Sequence, residues 1–160
     1  MASAGGVKMK VIDYITEEVR RQGHDVLDLD GIERVGWMLD AWSHAIRQSD
    51  ISNKLTIYYV LDIARLIEPD KNALGFRNCY VRVGRSIPCP PNEVESRLLR
   101  LFSTIDTVTP LEFYKEFETI HPFVDGNGRT GKVLLNWLNG TLRNPIFPPA
   151  NLFGREIANP

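Results

Sequence analysis

Apolar residues return every three or four positions along most of this chain, and that period restricts it to helices packed on helices. Val11, Ile12, Ile15 and Val19 form a first stripe, stopped by Gly23. Val35, Met38, Leu39, Trp42 and Ile46 form a second, and Ile57, Val60, Leu61, Ala64 and Ile67 a third that stops at Pro69. A fourth runs through Val94, Leu98, Phe102 and Ile105 after the Pro90-Pro91 start. The fifth is the best marked. Thr109, Pro110 and Glu112 make a capping box with proline at the first helical position, so a helix starts near Thr109 and turns Leu111, Tyr114, Phe117 and Ile120 inward. It must finish near Pro122, because proline disfavours a helical residue before it. A sixth helix carries Val133, Leu134, Trp137 and Leu138, from about Asn127 to Asn139, and ends at Gly140. The proline-rich tail TLRNPIFPPANLFGREIANP is expected to pack as irregular chain with a short last helix.

One segment breaks the helical pattern. Residues 76–88, FRNCYVRVGRSIP, alternate Cys79, Val81 and Val83 against Tyr80 and Arg82 and then turn at Gly84, which predicts a short β-hairpin. A lone two-stranded ribbon is marginally stable and leaves an edge unpaired. One use for such an edge is to pair with a strand from another chain. Arg77, Arg82 and Arg85 either blunt the hairpin edges or steer an acidic partner.

The fold expected is therefore all-α, a helical bundle with one short β-hairpin. Its 160 residues are enough for one domain with a real core, placed over residues 11–160, with residues 1–10 as a flexible leader. A formal charge of −1 gives no global attraction to nucleic acid or to an anionic membrane, so neither is expected as a partner. No run approaches the roughly 18 apolar residues of a membrane span, and the start lacks the apolar centre of a signal peptide. A cytoplasmic site of synthesis is the expectation. Cys79 and Cys89 are too few for a disulfide framework or a zinc site and read as free thiols. His24 and His44 belong to no constellation, and Trp37, Trp42 and Trp137 fit core stripes.

The chemistry is concentrated in HPFVDGNGRTGKV, residues 121–133. From Gly126 onward it nearly matches a phosphate-binding P-loop, which needs a buried parallel strand before its first glycine. Here a capped amphipathic helix precedes it, and Val133 stands where a Ser or Thr would bind magnesium. The other reading uses every polar residue of the stretch. Backbone N–H groups at Gly126, Asn127 and Gly128, entering the sixth helix, form a site for anionic oxygens. Arg129 and Lys132, three apart on the first turn, can meet more distal phosphates. Asp125 offers a hard oxygen to Mg²⁺, or caps the sixth helix, and His121 titrates near neutrality and can take a proton from an attacking hydroxyl. These are the parts for in-line displacement at phosphorus: base, metal ligand, anion hole and cationic clamp.

The stretch HPFVDGNGRTGK resembles the signature of the Fic (Fido) family, HPFx(D/E)GNGRxxR, at every fixed position but the last. The hairpin and the proline-rich start of the fourth helix resemble the family's flap, YKEFETI resembles the helix leading into the motif, and the likeness covers roughly residues 32–145. The resemblance implies transfer of AMP from ATP, with Mg²⁺, to a Ser, Thr or Tyr hydroxyl of a target protein. His121 would be the base and Asp125 the magnesium ligand. Asn127 with the amides of Gly126 and Gly128 would hold the α- and β-phosphates, Arg129 the β-phosphate, and Lys132 the terminal one. Phe123 would anchor the loop. The flap, through Asn78, Cys79, Tyr80, Val81, Arg82 and Val83, would pair with the target.

Two departures stand out. Lys132 replaces the family's arginine, keeping the charge but losing the bidentate fork, which leaves the choice of nucleotide open. Transfer of UMP, GMP, phosphocholine or phosphate, or a catalytically weak module that binds protein through the flap, are the alternatives, although retention of Gly126 and Gly128 favours AMP transfer over the related Doc-type kinases. Self-inhibited members also carry (S/T)xxxE(G/N), where the glutamate meets the cation at position 132, and none of the ten glutamates here fits that pattern. A separate antitoxin, an element outside the chain, or an unrestrained enzyme would account for this.

Overall fold

The computed structural model describes residues 8–153. Among them are the α-helices α1 (Val11–Arg21), α2 (Leu29–Ser52), α3 (Ile57–Ile67), α4 (Val94–Ser103), α5 (Pro110–Ile120) and α6 (Asn127–Asn139), with a single 3-10 turn, Pro91–Glu93, leading into α4. The local causes are those the sequence carries. Thr109 Oγ1 accepts from the Glu112 N–H at 3.1 Å while the Glu112 carboxylate accepts from the Thr109 N–H at 2.9 Å, closing the capping box of α5. Asp28 caps α2 by accepting from the Gly31 N–H at 2.8 Å. Gly140 ends α6 in the left-handed conformation.

Helix α6 sits in the middle, packed against α2, α3 and α5, while α1 lies on α2. Its apolar residues Val133, Leu134 and Trp137 join Tyr14, Ile15, Trp42, Ile63, Phe117 and Phe123 in one core. Of the tryptophans, Trp42 and Trp137 are buried as the stripes require, and Trp37 is half-buried beneath Arg34. No helix of the described residues is long and apolar enough to cross a membrane.

Residues 140–153 of the tail are irregular, the core using their backbone groups, and the expected short last helix lies outside the described residues where it extends past residue 153. Asn136 accepts from the Ile146 N–H at 2.8 Å, Tyr14 donates to the Ile146 carbonyl at 2.9 Å, and Trp42 Nε1 donates to the Leu142 carbonyl at 2.7 Å. Phe147 stacks on Tyr14 with ring centroids 4.0 Å apart. Residues 154–160 of that tail and residues 1–7 of the expected leader lie outside the described residues.

The expected hairpin needs correction: it is reduced to one antiparallel bridge, in which Val83 and Ser86 exchange both N–H···O bonds at 2.9 Å around Gly84, and no strand forms among the described residues. At the base of the segment the carbonyls of Cys79 and Cys89 bond to the Arg77 guanidinium, at 2.9 and 2.7 Å, instead of belonging to a ladder. Without a third strand the ribbon has too little to stabilise a longer one.

Phe123 has no exposure and packs 5.6 Å from the Phe76 ring, so Phe123→Ala is expected to cost about 3–5 kcal/mol in chemical denaturation. Thr109→Ala, which removes only an exposed cap, should cost about 1 kcal/mol in the same measurement.

Candidate active site

Helix α5 delivers His121 to the site. As its C-cap the residue is left-handed, with φ 52° and ψ 64°, and its N–H donates to the Phe117 carbonyl at 3.0 Å. That conformation is uncommon for a non-glycine residue and strains the backbone by about 1–3 kcal/mol unless its surroundings fix it. Arg77 does so. Its Nε donates to the His121 carbonyl at 2.7 Å, its Nη2 to the Ile120 carbonyl at 3.2 Å, and its own N–H to the Pro122 carbonyl at 2.9 Å. The same guanidinium holds both legs of the flap through Cys79 and Cys89. At 3% exposure Arg77 is therefore an internal clip between flap and histidine, not an edge charge.

The next turn forms the glycine loop. Asn127 uses its side chain on the buried Phe123, accepting from its N–H and donating to its carbonyl, both at 2.9 Å. Any contribution of Asn127 to an anion site falls to its backbone N–H at the start of α6. Gly126 has φ 74°, and a Cβ there would stand 2.7 Å from Ile67 Cγ2, so conformation and contact both require glycine. A Cβ on Gly128 would stand 2.8 Å from the Gln22 amide of α1, which places that side chain over the loop.

Asp125 is about one-third exposed, its Oδ1 accepting from the Gly126 N–H at 2.7 Å and its Oδ2 from Lys71 at 2.8 Å. Partial burial works to raise its pKa, but the bonds from Lys71 and the Gly126 amide, with the charge of Arg129, outweigh it and hold the carboxyl below its usual range. It is thus ionised at neutral pH.

Arg129 and Lys132 are both buried and both paired with a carboxylate from another helix or its end. Arg129, 1% exposed, donates from Nη2 to Glu68 at 2.8 Å, and Glu68 also accepts from Arg34 at 3.0 Å. Lys132 donates to Glu18 of α1 at 3.0 Å and lies 5.6 Å from the Tyr114 ring centroid. Burial works against the Lys132 ammonium, yet Glu18 and the other groups around it push its pKa up. The sign is that of a raised cation: the pairing stabilises the fold below the ordinary lysine pKa and is lost only above the raised value, so it holds across the working pH range.

The flap residues lie beside this site. Asn78, Cys79, Tyr80 and Arg82 are exposed and Val81 and Val83 half-buried. The structure therefore brings His121, Asp125, Gly126, Asn127, Gly128, Arg129 and Lys132 together at the α5–α6 junction, with the flap attached through Arg77. His24 and His44 lie elsewhere, within 3.4 Å of Asp30 and 3.9 Å of Asp62.

Sequence reasoning missed Glu18, Gln22, Glu68, Lys71 and Arg77. A signal existed for two of them. Glu18 follows Ile15 by three and Glu68 follows Ala64 by four, so each lies on the apolar stripe of its helix or at its end, where an unpaired charge is costly and a partner is implied.

Comparison with known proteins now bears on this geometry. Residues 54–139, more than half of the chain, match the model of the Fic/DOC family. The chain belongs to the Fic/DOC family. A relative in Aquifex aeolicus, named "Probable protein adenylyltransferase", is 43% identical over 71 residues, covering 39% of this chain and 22% of its own. A protein adenylyltransferase of Caenorhabditis elegans is 29% identical over 110 residues, 58% of this chain and 21% of its own. The chain thus spans about a fifth of the length of these curated relatives. Among solved structures, a Fic-domain signalling protein of Bacteroides thetaiotaomicron superposes with a TM-score of 0.63 at 18% identity, over 79% of this chain and 60% of that one. Fic-1 of Caenorhabditis elegans gives 0.65 at 21% identity, over 84% and 49%. These two agree in fold, and the Fic fold here is all-helical.

Arg77→Ala would strip donors from the Cys79, Cys89, Ile120 and His121 carbonyls, and is expected to cost more than about 3 kcal/mol, since each bond from a charged group contributes about 1.5–3. Hydrogen exchange should accelerate over residues 78–89 and at His121 together.

Proposed function

We propose that this Fic-family chain is a protein adenylyltransferase, moving AMP from ATP to a Ser, Thr or Tyr hydroxyl of a protein target with Mg²⁺. The observation that carries the reading is the α5–α6 junction, where His121, Asp125 and a glycine loop lead into a first turn of α6 that carries Arg129 and Lys132. The adenylyltransferase names of its relatives support it at the family level, with ATP as substrate and protein as target.

In this reading His121 accepts the proton of the target hydroxyl as its oxygen bonds to the α-phosphorus and the bond to pyrophosphate breaks. The left-handed cap, fixed by Arg77, aims the imidazole; the Asn127 and Gly128 amides, with Arg129 and Lys132, receive the phosphates. Asp125 suits Mg²⁺ as a partner, because that ion binds nucleotides through one or two carboxylates plus phosphate oxygens and water. Lys71 stands 2.8 Å from Asp125 Oδ2 and would give up that oxygen to the ion. When bound, the ion would neutralise charge developing on the phosphates.

The flap recruits the target. Its one bridge leaves the backbone on either side unpaired by a ladder, which suits the addition of a target strand.

Glu18 has a role in the same reading. It holds Lys132 from within the chain, and Gln22, which donates to Glu18 at 2.7 Å, covers Gly128. The terminal phosphate must displace both, so Glu18 acts as the restraining glutamate that the (S/T)xxxE(G/N) pattern does not locate.

ATP labelled at the α- or the γ-phosphate, given to the full chain with a host lysate, separates the chemistries. Label should enter protein from the α-position only, adding the mass of AMP, and His121→Ala should abolish it. Entry only from the γ-position would establish phosphate transfer in place of AMP transfer. Glu18→Gln should raise transfer several-fold and tighten Mg-ATP in calorimetry; equal rates and affinities would remove the restraint.

A further inference from the structure

Glu68 stands at the C-terminal end of α3, next to the glycine loop but outside the motif, and is 2% exposed. Its carboxylate joins two guanidiniums, Arg34 of α2 at 3.0 Å and Arg129 of α6 at 2.8 Å. Arg34 is offset a second time by Asp30, one turn before it. Among the described residues Arg129 has no comparable second partner: Asp125 lies 3.6 Å from the same Nη2 that Glu68 holds, and Nε and Nη1 are buried without a hydrogen-bond acceptor.

Unmatched N–H donors on a buried guanidinium are costly and call for an acceptor. The guanidinium lies against the loop, since a Cβ on Gly126 would stand 3.5 Å from Arg129 Nη2 and 3.2 Å from Glu68 Cγ. An acceptor that fits a planar cation beside helix-start amides is a phosphate. Resting on the function proposed above, we propose that Glu68 is the positioning residue of the phosphate clamp: by holding Nη2 at 2.8 Å it fixes the plane of the Arg129 guanidinium against the glycine loop, where the anion binds. Glu68 also offsets the guanidinium charge while the site is empty, which allows Arg129 to be buried before the anion arrives. Orientation, not added charge, is its contribution to binding.

The test is calorimetry of the full chain with sodium pyrophosphate and MgCl₂, repeated in the Glu18→Gln background so that Lys132 is open. Arg129→Lys should weaken pyrophosphate in a folded protein. Glu68→Gln should weaken it at least tenfold, and Glu68→Asp, which keeps the charge but shortens the reach, should do the same. Added to Arg129→Lys, Glu68→Gln should have no further effect, a non-additivity that loss of stability alone would not produce. Arg34→Met is the control for stability: it should lower the melting temperature yet leave pyrophosphate affinity unchanged, because the Glu68–Arg129 bond remains. If Glu68→Gln fails to fold, Glu68→Asp and the cycle built on it decide. Parent-like or tighter binding in folded Glu68 variants overturns the proposal while leaving the phosphate site intact. Absence of pyrophosphate binding in both backgrounds overturns the phosphate reading and this proposal with it.

Discussion

The structure depends on burying the polar first half of α6. Its position between α2, α3 and α5 takes Asn127, Arg129, Thr130 and Lys132 out of water, on the helix whose second half supplies Val133, Leu134 and Trp137 to the core. Charges in that position must be matched inside the protein, and the surrounding helices supply Glu18 and Glu68 for the purpose. Such pairs add little net stability against an apolar alternative. Their presence fits the phosphate-binding role proposed for the two cations.

The same constraint explains the shape of the loop. With Ile67 and Glu68 pressed beneath it, there is room for backbone but not for Cβ at position 126, and at position 128 a Cβ would have to push the Gln22 amide aside. The left-handed turn at His121 is a consequence as well. The chain must leave α5 and enter α6 within a few residues, and Arg77 holds the carbonyls of residues 120, 121 and 122 in that turn. Because Arg77 also holds Cys79 and Cys89, the flap and the histidine are parts of one hydrogen-bonded unit.

Much of this was legible in advance where the cause is local. The capping box at Thr109, the stop at Gly140 and the span of α6 follow from residues within one turn of each other. The motif named the residues that meet at the α5–α6 junction. It was less informative about what their atoms touch: the Asn127 side chain is engaged with Phe123, and the Gly126 N–H with Asp125. The flap was overread, since alternation of residues 79–83 signals extended chain but not whether a ladder forms. The tail keeps an irregular course through residue 153 because Tyr14 and Trp42, distant in sequence, and Asn136, ten positions away, bind the backbone of Leu142 and Ile146.

The sequence by itself determined the helices, their ends, and the order of functional groups along residues 121–132, because periodicity, caps and glycines act over a few positions. Only the tertiary structure decided which charges go inside and what answers them. Lys132 meets a carboxylate 114 positions away and Arg129 one 61 positions away. Such pairings are set by how α1 and α3 pack on α6, and no short-range pattern encodes them.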